Sequence, residues 1–494
     1  MENIVTRNER IIPAQNGYTL LAGDTALHSR YNPANEAEKY IDSLSLKPVK
    51  YFILLEPGLS YLFLAIKKKF PESQIITLHC SSFFNNIPME QGPGWNPASG
   101  ETLEEFLERY LEEVDAGDIK LIDWKPSVNV YGKTCLDLTY KTVECIRRIS
   151  AGKKTVKNFG KRWFKNALRN LVLLQNPAEI QPGSMPVLVC AAGPSLENSL
   201  DPIAEWNEAP FPPYIIAVSS AAPALLYRGI VPDCIITTDG GAWARWHLIE
   251  YLRQYNKTAR KNPVIVSAFT AALPSQTKQH PVIVFRDGSL WQDLLLQDAH
   301  LLQYSPAFPQ RGTVSVSALD FSYYLSSGNV YICGLDLENR DLKTHVKPYA
   351  FDQFLKQKED RRLPSYSLFF EREYTIRSSG SQNIYAVWLK SHLSLFGGRL
   401  FCFGKSVHGI PSGKPSLNET NKYARFTVQI IKNNINNNNA KRHFSGLLQN
   451  ALDNPLLNEQ LCKELGELLL DSNPPDKINR IAEIKKALLE LSDE

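Results

Sequence analysis

The chain predicts an α/β fold of parallel sheets flanked by helices, and three observations carry the prediction. Short, wholly apolar runs, such as Tyr51-Phe52-Ile53-Leu54-Leu55 and Val187-Leu188-Val189-Cys190, read as strands buried on both faces. Each run ends in a small-residue turn that leads into a helical pattern, the rhythm of βαβ units. Hydroxyls and carboxylates then recur at the strand ends and helix starts, where open parallel sheets bind their ligands. The 494 residues suffice for several domains and a large core.

Composition narrows the function. A net charge of +4 is small for this length and gives no reason to expect nucleic acid or a membrane surface as partner. No apolar run is long enough to span a bilayer, and Met1–Arg7 lacks a basic-then-apolar leader pattern. Eight cysteines are scattered without Cys-x-x-Cys spacing. They suit reduced, buried thiols in a cytoplasm better than a disulfide framework or a zinc site. No repeat of solenoid length occurs.

In chain order, Asn32 and Pro33 read as the cap and first position of a helix, with Glu36 and Glu38 suited to its positive start. The strand at 51–55 ends in Glu56-Pro57-Gly58, a close turn or a ligand loop, and a strand at 74–79 follows a helix at 61–69. Residues 79–118 are irregular apart from an amphipathic stretch at 103–114, and 120–124 form a further strand. The helical pattern of 134–174 contains a basic stretch at 161–170. It reads as a solvated face, with a surface for an anionic donor or an acidic partner as the sharper alternative. Pro177, Pro182, Gly183 and Pro186 mark a boundary near residue 180.

The second α/β unit opens at 187–197, where Gly193 allows a sharp turn or a close ligand and Pro194 suits a first helical turn. The Ser195 hydroxyl stands at a helix mouth, where free N–H groups attract phosphate. Strands follow at 213–218, ending at Ser219, at 232–238, ending at Asp239, and at 263–267 and 282–285. Thr313 and Ser315 enter a helix, and the strand at 329–335 ends at Asp336. Five or six strands therefore alternate with helices, and their ends are candidates for one crevice. The polar loop from Asn339 to Pro348 includes His345 between Lys343 and Lys347. Neighbouring positive charge disfavours its protonation, leaving either a neutral proton acceptor or an ordinary surface histidine. Asp239 and Asp336 are equally readable as caps or turn residues. Asn433–Asn439 is a polar linker by composition. Beyond it, Ile478, Ile481, Ile484, Leu488 and Leu491 mark one apolar helix face.

Motif elimination leaves little else. There is no Walker-type Gly-x-x-x-x-Gly-Lys-Ser/Thr phosphate loop, no Gly-x-Gly-x-x-Gly at a strand end and no Gly-x-Ser-x-Gly elbow. A neutral Gly-Pro-Ser turn, helix-start hydroxyls, strand-end carboxylates and a loop histidine fit a nucleotide-binding transferase.

Gly193-Pro194-Ser195-Leu196, Pro232-Asp233 through Asp239, Gly312-Thr313-Val314, Gly334-Leu335-Asp336-Leu337 and Lys343-Thr344-His345 together resemble the motility accessory factor family. Leu27-His28-Ser29-Arg30-Tyr31-Asn32-Pro33 and Phe159-Gly160-Lys161-Arg162-Trp163 resemble it outside the core, so the likeness covers about residues 20–415. The central unit is also similar to bacterial sialyltransferases of the single Rossmann-like type. The resemblance implies an N-terminal α/β domain with a helical linker at 1–180. A Rossmann-like catalytic domain at 181–415 and a helical C-terminal domain at 416–494 follow. It implies a cytoplasmic flagellin glycosyltransferase that moves a nonulosonic acid, of pseudaminic or legionaminic type, from its CMP conjugate to Ser or Thr with inversion. It needs no metal and no cofactor beyond the CMP-activated donor, and its partners are that donor and flagellin. Gly193, Pro194 and Ser195 would hold the cytidylate, with Ser219 and Asp239 lining the same site. Thr313 and Ser315 would sit at the phosphate. Asp336 would orient the site, and His345 would act as base or steady the leaving phosphate. The same domain family includes archaeal 6-hydroxymethyldihydropterin diphosphokinases, which implies ATP with Mg2+ as an alternative. A non-enzymatic flagellin-binding motility protein is a third reading.

Overall fold

The computed structural model describes residues 8–87, 92–111, 116–209, 212–255, 262–338, 342–379, 381–414, 423–432, 440–471, 474 and 476–493. Met1–Arg7, Val114, Asn339–Asp341 and the Asn433–Asn439 linker lie outside them. The chain divides into two compact units, Met1–Val156 and Lys157–Glu494. The division falls inside the helix Lys133–Leu173, upstream of the Pro/Gly punctuation near 180.

In the first unit, β1 (Glu9–Ala14), β2 (Gly17–Ala22) and β3 (Thr25–Ala26) form an antiparallel meander. β4 (Tyr51–Leu55), β5 (Gln74–Leu78), β6 (Gly94–Trp95) and β7 (Ile119–Asp123) form a parallel sheet in the order β6-β5-β4-β7. Period-two alternation sends Ile53 and Leu55 into one core layer with Phe106 and Leu107. Phe52 and Leu54 enter the other, with Leu62 and Ile66. The helix Pro33–Ser43 starts as its sequence predicts, with Asn32 accepting from the Asn35 N–H and Pro33 in the first turn. The turn after β4 is occupied by the chain itself. Gly58 sits under His28, whose Nε2 accepts from the Leu59 N–H at 2.8 Å, and His28 stacks on Trp124.

The second unit is built on eight parallel strands. They are β9 (Val187–Cys190), β10 (Tyr214–Val218), β11 (Cys234–Thr237), β12 (Val264–Ala268), β13 (Val282–Phe285), β14 (Val330–Cys333), β15 (Leu400–Phe403) and β16 (Ser412–Gly413). Their order is β13-β12-β11-β10-β9-β14-β15-β16. The sheet is wider than five or six strands because β15 and β16, far along the chain, extend it beyond β14. β8 (Ala178–Gln181) pairs separately, antiparallel to β17 (Thr427–Ile430). The chain winds outward from β9 to β13, then returns to the opposite side of β9 with β14. The topological switch point therefore lies between β9 and β14.

The C-terminal helices Ala440–Leu452, Asn458–Leu469 and Lys477–Asp493 belong to this same unit. The Glu464 carboxylate accepts from the Leu290 and Trp291 N–H groups at 3.1 Å each, capping the helix Leu290–Asp298 from outside. Ile484, Leu488 and Leu491 are buried as predicted, but Ile478 is 78% exposed. At 100° per residue, Ile478 lies about 120° around the helix from Ile484, off the packed face.

Candidate functional site at the switch point

The carboxyl ends of β9 and β14 are laced together by their own loops. The Gly193 N–H donates to the Gly334 carbonyl, and the Ser195 N–H to Asp336 Oδ2, both at 2.7 Å. Gly193 has an extended backbone, with φ at −66°, so it is not the sharpness of the turn that requires glycine. A Cβ there would come within 2.5 Å of both Asp336 Oδ2 and the Gly334 carbonyl. Close approach is the requirement, and what approaches is Asp336. Gly334 is constrained twice, by a φ of +69° and by the Ala191 carbonyl 2.4 Å from its Cβ position. Below the loops, Cys190 and Cys333 pack Sγ to Sγ at 3.7 Å.

This geometry changes the reading of the Gly-Pro-Ser turn. Pro194–Ser199 is a 3-10 turn ahead of the helix Leu200–Asn207, and the Ser195 N–H is taken by a carboxylate. The Ser195 side chain is therefore the group this residue can turn to a ligand. Asp336 is 3% exposed and acts as a strut between the two loops. His408 Nε2 lies 3.0 Å from the Asp336 carbonyl, bringing the loop between β15 and β16 to the same place.

The His345 loop is tied in at both flanks. Lys343 Nζ donates to Glu197 Oε2 at 2.7 Å, and the Val346 N–H donates to the Ala192 carbonyl at 2.9 Å. His345 Nδ1 lies 3.0 Å from Thr344 Oγ1, and its ring stacks on Tyr349 at 4.2 Å and 11°. The Arg372 guanidinium, from the helix Ser365–Ser379, lies 4.8 Å over Tyr349 and 4.0 Å from Asp352. Burial first, then the charges of Arg372, His247 and Lys347, push the His345 imidazole down to about 3. His247 packs on Phe351 at 4.5 Å and on Tyr349 at 5.0 Å, and burial with Arg372 pushes it down to about 4.

The remaining candidates lie along the same edge. Ser219 is buried at the end of β10, with its N–H donating to the Ile236 carbonyl. Asp239 follows β11 and accepts from the Gly241 N–H at 2.7 Å, a turn-forming contact. Its charge also reaches Tyr349, whose phenol is pushed up to about 12, chiefly by burial. Thr313 caps the helix Val314–Leu325 without a side-chain hydrogen bond, and Ser315 lies in its first turn. Neither hydroxyl bonds directly to the β9 or β14 loops among the described residues. No cluster of three or more His, Cys, Asp or Glu side chains suited to a metal occurs among them either.

Sequence reasoning missed Arg372, Tyr349 and His247, which lie on helices or loops far from any strand end. It also preferred a solvated face for residues 161–170. In the structure, Asn166 Nδ2 donates to the Gly240 and Thr270 carbonyls, and Asn170 Nδ2 to those of Phe269 and Ala271, at 2.9–3.0 Å. This face holds the loops after β11 and β12. The Asn-x-x-x-Asn spacing, one helical turn, was the available signal.

Residues 161–341 match the family model described as 6-hydroxymethylpterin diphosphokinase MptE-like. Two uncharacterized proteins of Treponema pallidum (strain Nichols) are relatives. One is 28% identical over 263 residues, 53% of this chain and 56% of the relative. The other is 24% identical over 251 residues, 47% of this chain and 43% of the relative. The chain thus spans about half the length of the curated relatives it matches. The structure of a MAf glycosyltransferase from Magnetospirillum magneticum AMB-1 superposes with a TM-score of 0.52 at 11% identity, over 99% of this chain and 87% of that one. At that identity the likeness is one of fold. Residues 161–341 are thus similar to the MptE-like family, and the chain shares its fold with a MAf glycosyltransferase.

Proposed function

We propose that the protein is a glycosyltransferase that moves a nonulosonic acid from its CMP conjugate to Ser or Thr hydroxyls of flagellin. The observation that carries this reading is the convergence of Ser195, Asp336 and the His345 loop at the switch point of an open parallel sheet. The fold shared with a MAf glycosyltransferase supports it.

The acceptor oxygen would attack the anomeric carbon as the bond from that carbon to the phosphate oxygen breaks, inverting configuration and releasing CMP. The hydroxyl proton goes to His345, or His345 steadies the departing phosphate. His345 is neutral at physiological pH and thus open to a proton, but burial and its cationic neighbours make it a weak base. A phosphate bound near Arg372 and Lys347 offsets the charges that depress it and raises its basicity. Ser195, Ser219, Thr313 and Ser315 supply hydroxyls for the nucleotide and phosphate.

The MptE-like match favours a second reading, a pterin diphosphokinase using ATP and Mg2+, with Asp239 as the exposed strand-end carboxylate nearest to a metal role. Calorimetry with CMP, CDP, ATP and GTP, with and without Mg2+, separates the two. Metal-independent cytidylate binding weakened in Ser195→Ala supports the transferase. Mg2+-dependent ATP binding supports the kinase. Tight flagellin binding with no nucleotide binding would leave a non-enzymatic motility protein. A folded His345→Ala protein that glycosylates flagellin at the parental rate removes His345 from the mechanism.

A further inference from the structure

The helix Lys133–Leu173 and the helix Arg245–Tyr255 each bring an arginine to the loop that follows β11. Asn166 and Asn170 fix the first helix against the Gly240 carbonyl and the 269–271 carbonyls, and Trp163 lies against Gly240. Arg169 stands between those two asparagines in the same helical stretch. Arg245 begins its helix four residues after Gly241, joined by the turn in which the Ala244 N–H donates to the Gly241 carbonyl at 3.0 Å. Both side chains are part-buried.

Neither arginine has an anionic partner among the described residues. Buried or half-buried arginines ordinarily sit against carboxylates, as Arg311 does with Asp320 at 2.7 and 3.2 Å and Arg286 with Asp293 at 2.8 Å. Arg245 Nε is buried with no acceptor at all. The local field agrees: burial and the charge of Arg245 lower the Arg169 pKa, and no carboxylate offsets them. Two like charges brought together with an unmet N–H cost stability, and a fold keeps such an arrangement where a ligand completes it.

We propose that Arg169 and Arg245 form an oxyanion-binding site at the carboxyl edge of the sheet, which takes a carboxylate or phosphate group of a small acidic ligand. Planar guanidinium groups match either oxyanion through paired N–H donors. The site is separate from the Ser195–Asp336–His345 cluster in its residues and does not depend on the transfer reaction. An acidic sugar would present its carboxylate, and a nucleotide its phosphate.

The test uses the full chain, with Arg169→Gln, Arg245→Gln and Arg245→Lys. Calorimetry at fixed ionic strength would use pyrophosphate, CMP and N-acetylneuraminic acid as probes. The expected result is binding of at least one probe to the wild type, weakened about tenfold or more by either glutamine variant, since a charge-assisted hydrogen bond is worth about 1.5–3 kcal/mol. The lysine variant should fall between. Loss confined to CMP and pyrophosphate assigns the phosphate source, and loss confined to N-acetylneuraminic acid assigns the carboxylate source. Thermal unfolding without ligand gives the second readout, in which the glutamine variants should unfold at or above the wild-type temperature. Glutamine variants that unfold earlier would make the arginines structural struts and overturn the proposal. So would a wild type that binds none of the probes, or variants that bind them as tightly. Flagellin transfer by His345→Ala tests the transferase reading, whereas probe binding by the Arg169 and Arg245 variants tests this site, so the two can fail separately.

Discussion

Replacing Gly193 with alanine is the sharpest test of how the switch point is held. Its φ of −66° suits alanine, so backbone strain contributes nothing. The added methyl group would lie 2.5 Å from Asp336 Oδ2 and 2.5 Å from the Gly334 carbonyl, and one of these partners is main chain. Relief requires parting the loops, which breaks the Ser195 N–H to Asp336 bond and the Gly193 N–H to Gly334 bond, both 2.7 Å. The first is charge-assisted, worth about 1.5–3 kcal/mol, and the second about 0.5–1.5 kcal/mol. The reduced entropy of the unfolded alanine chain returns about 0.4–1 kcal/mol. The net expectation is a loss of about 1–4 kcal/mol, read as a lower urea midpoint with an unchanged m-value. Asp336→Ala removes one of the two colliding groups, so Gly193→Ala should cost at least about 1 kcal/mol less in that background. A Gly193→Ala protein within about 0.5 kcal/mol of wild type, or strictly additive effects, would refute the argument that Asp336 is what the glycine makes room for.

Other perturbations test the supports around the site. Asn170→Ala removes two 2.9 Å hydrogen bonds from a buried amide and should cost about 1–3 kcal/mol in urea unfolding. Asn170→Asp places a carboxylate against the same two carbonyl oxygens, which raises its folded pKa. Its stability relative to wild type should therefore fall as pH rises from 5 to 7, and a flat difference would count against this geometry. His247, pushed down to about 4, stays neutral when folded and gains a proton on unfolding below pH 6.5. Wild-type stability should fall as pH drops from 6.5 toward 4, and His247→Phe should flatten the slope near pH 5.5 by close to one proton, about 1.4 kcal/mol per pH unit. Glu464→Ala uncaps the helix Leu290–Asp298 and should cost about 1 kcal/mol, partly restored by Gln.

What the sequence made legible was local. The apolar runs at β4, β9 and β13 are continuous because both faces of those strands are covered, and that needs no knowledge of a partner. The Asn32-Pro33 cap is read from adjacent residues. The places of β15 and β16 were not legible, since neither a four-residue apolar run nor a Ser-Gly pair says which edge it joins. At the site, Gly193, Ser195, Asp336 and His345 were visible as strand-end chemistry. The bond between Ser195 and Asp336 spans 141 residues, and nothing in either motif announces it. Arg372 and Tyr349 were hidden for the same reason, since a charge on one helix and a phenol on a distant loop become neighbours only by folding.

That bond also divides the labour at the site. A glycine-rich phosphate loop works by leaving its N–H groups free for an anion. Here Asp336 takes the Ser195 N–H, so the β9 turn binds its neighbour strand before it binds anything else. Positive charge sits elsewhere, in Arg372 and Lys347 around Tyr349 and His345 and in the Arg169–Arg245 pair near the β11 loop. An anionic ligand entering this edge meets a carboxylate strut on the β9–β14 axis and cations to the side. Charge alone therefore places its phosphate or carboxylate away from the Gly-Pro-Ser turn and toward these cations, leaving the Ser195 hydroxyl for a neutral part such as a ribose or a base. Exchanging Asp336 for Asn tests this. It keeps an acceptor for the Ser195 N–H while removing the negative charge, and it should tighten binding of CMP more than that of cytidine. Equal effects on the two ligands would show that the carboxylate has no part in steering the anion.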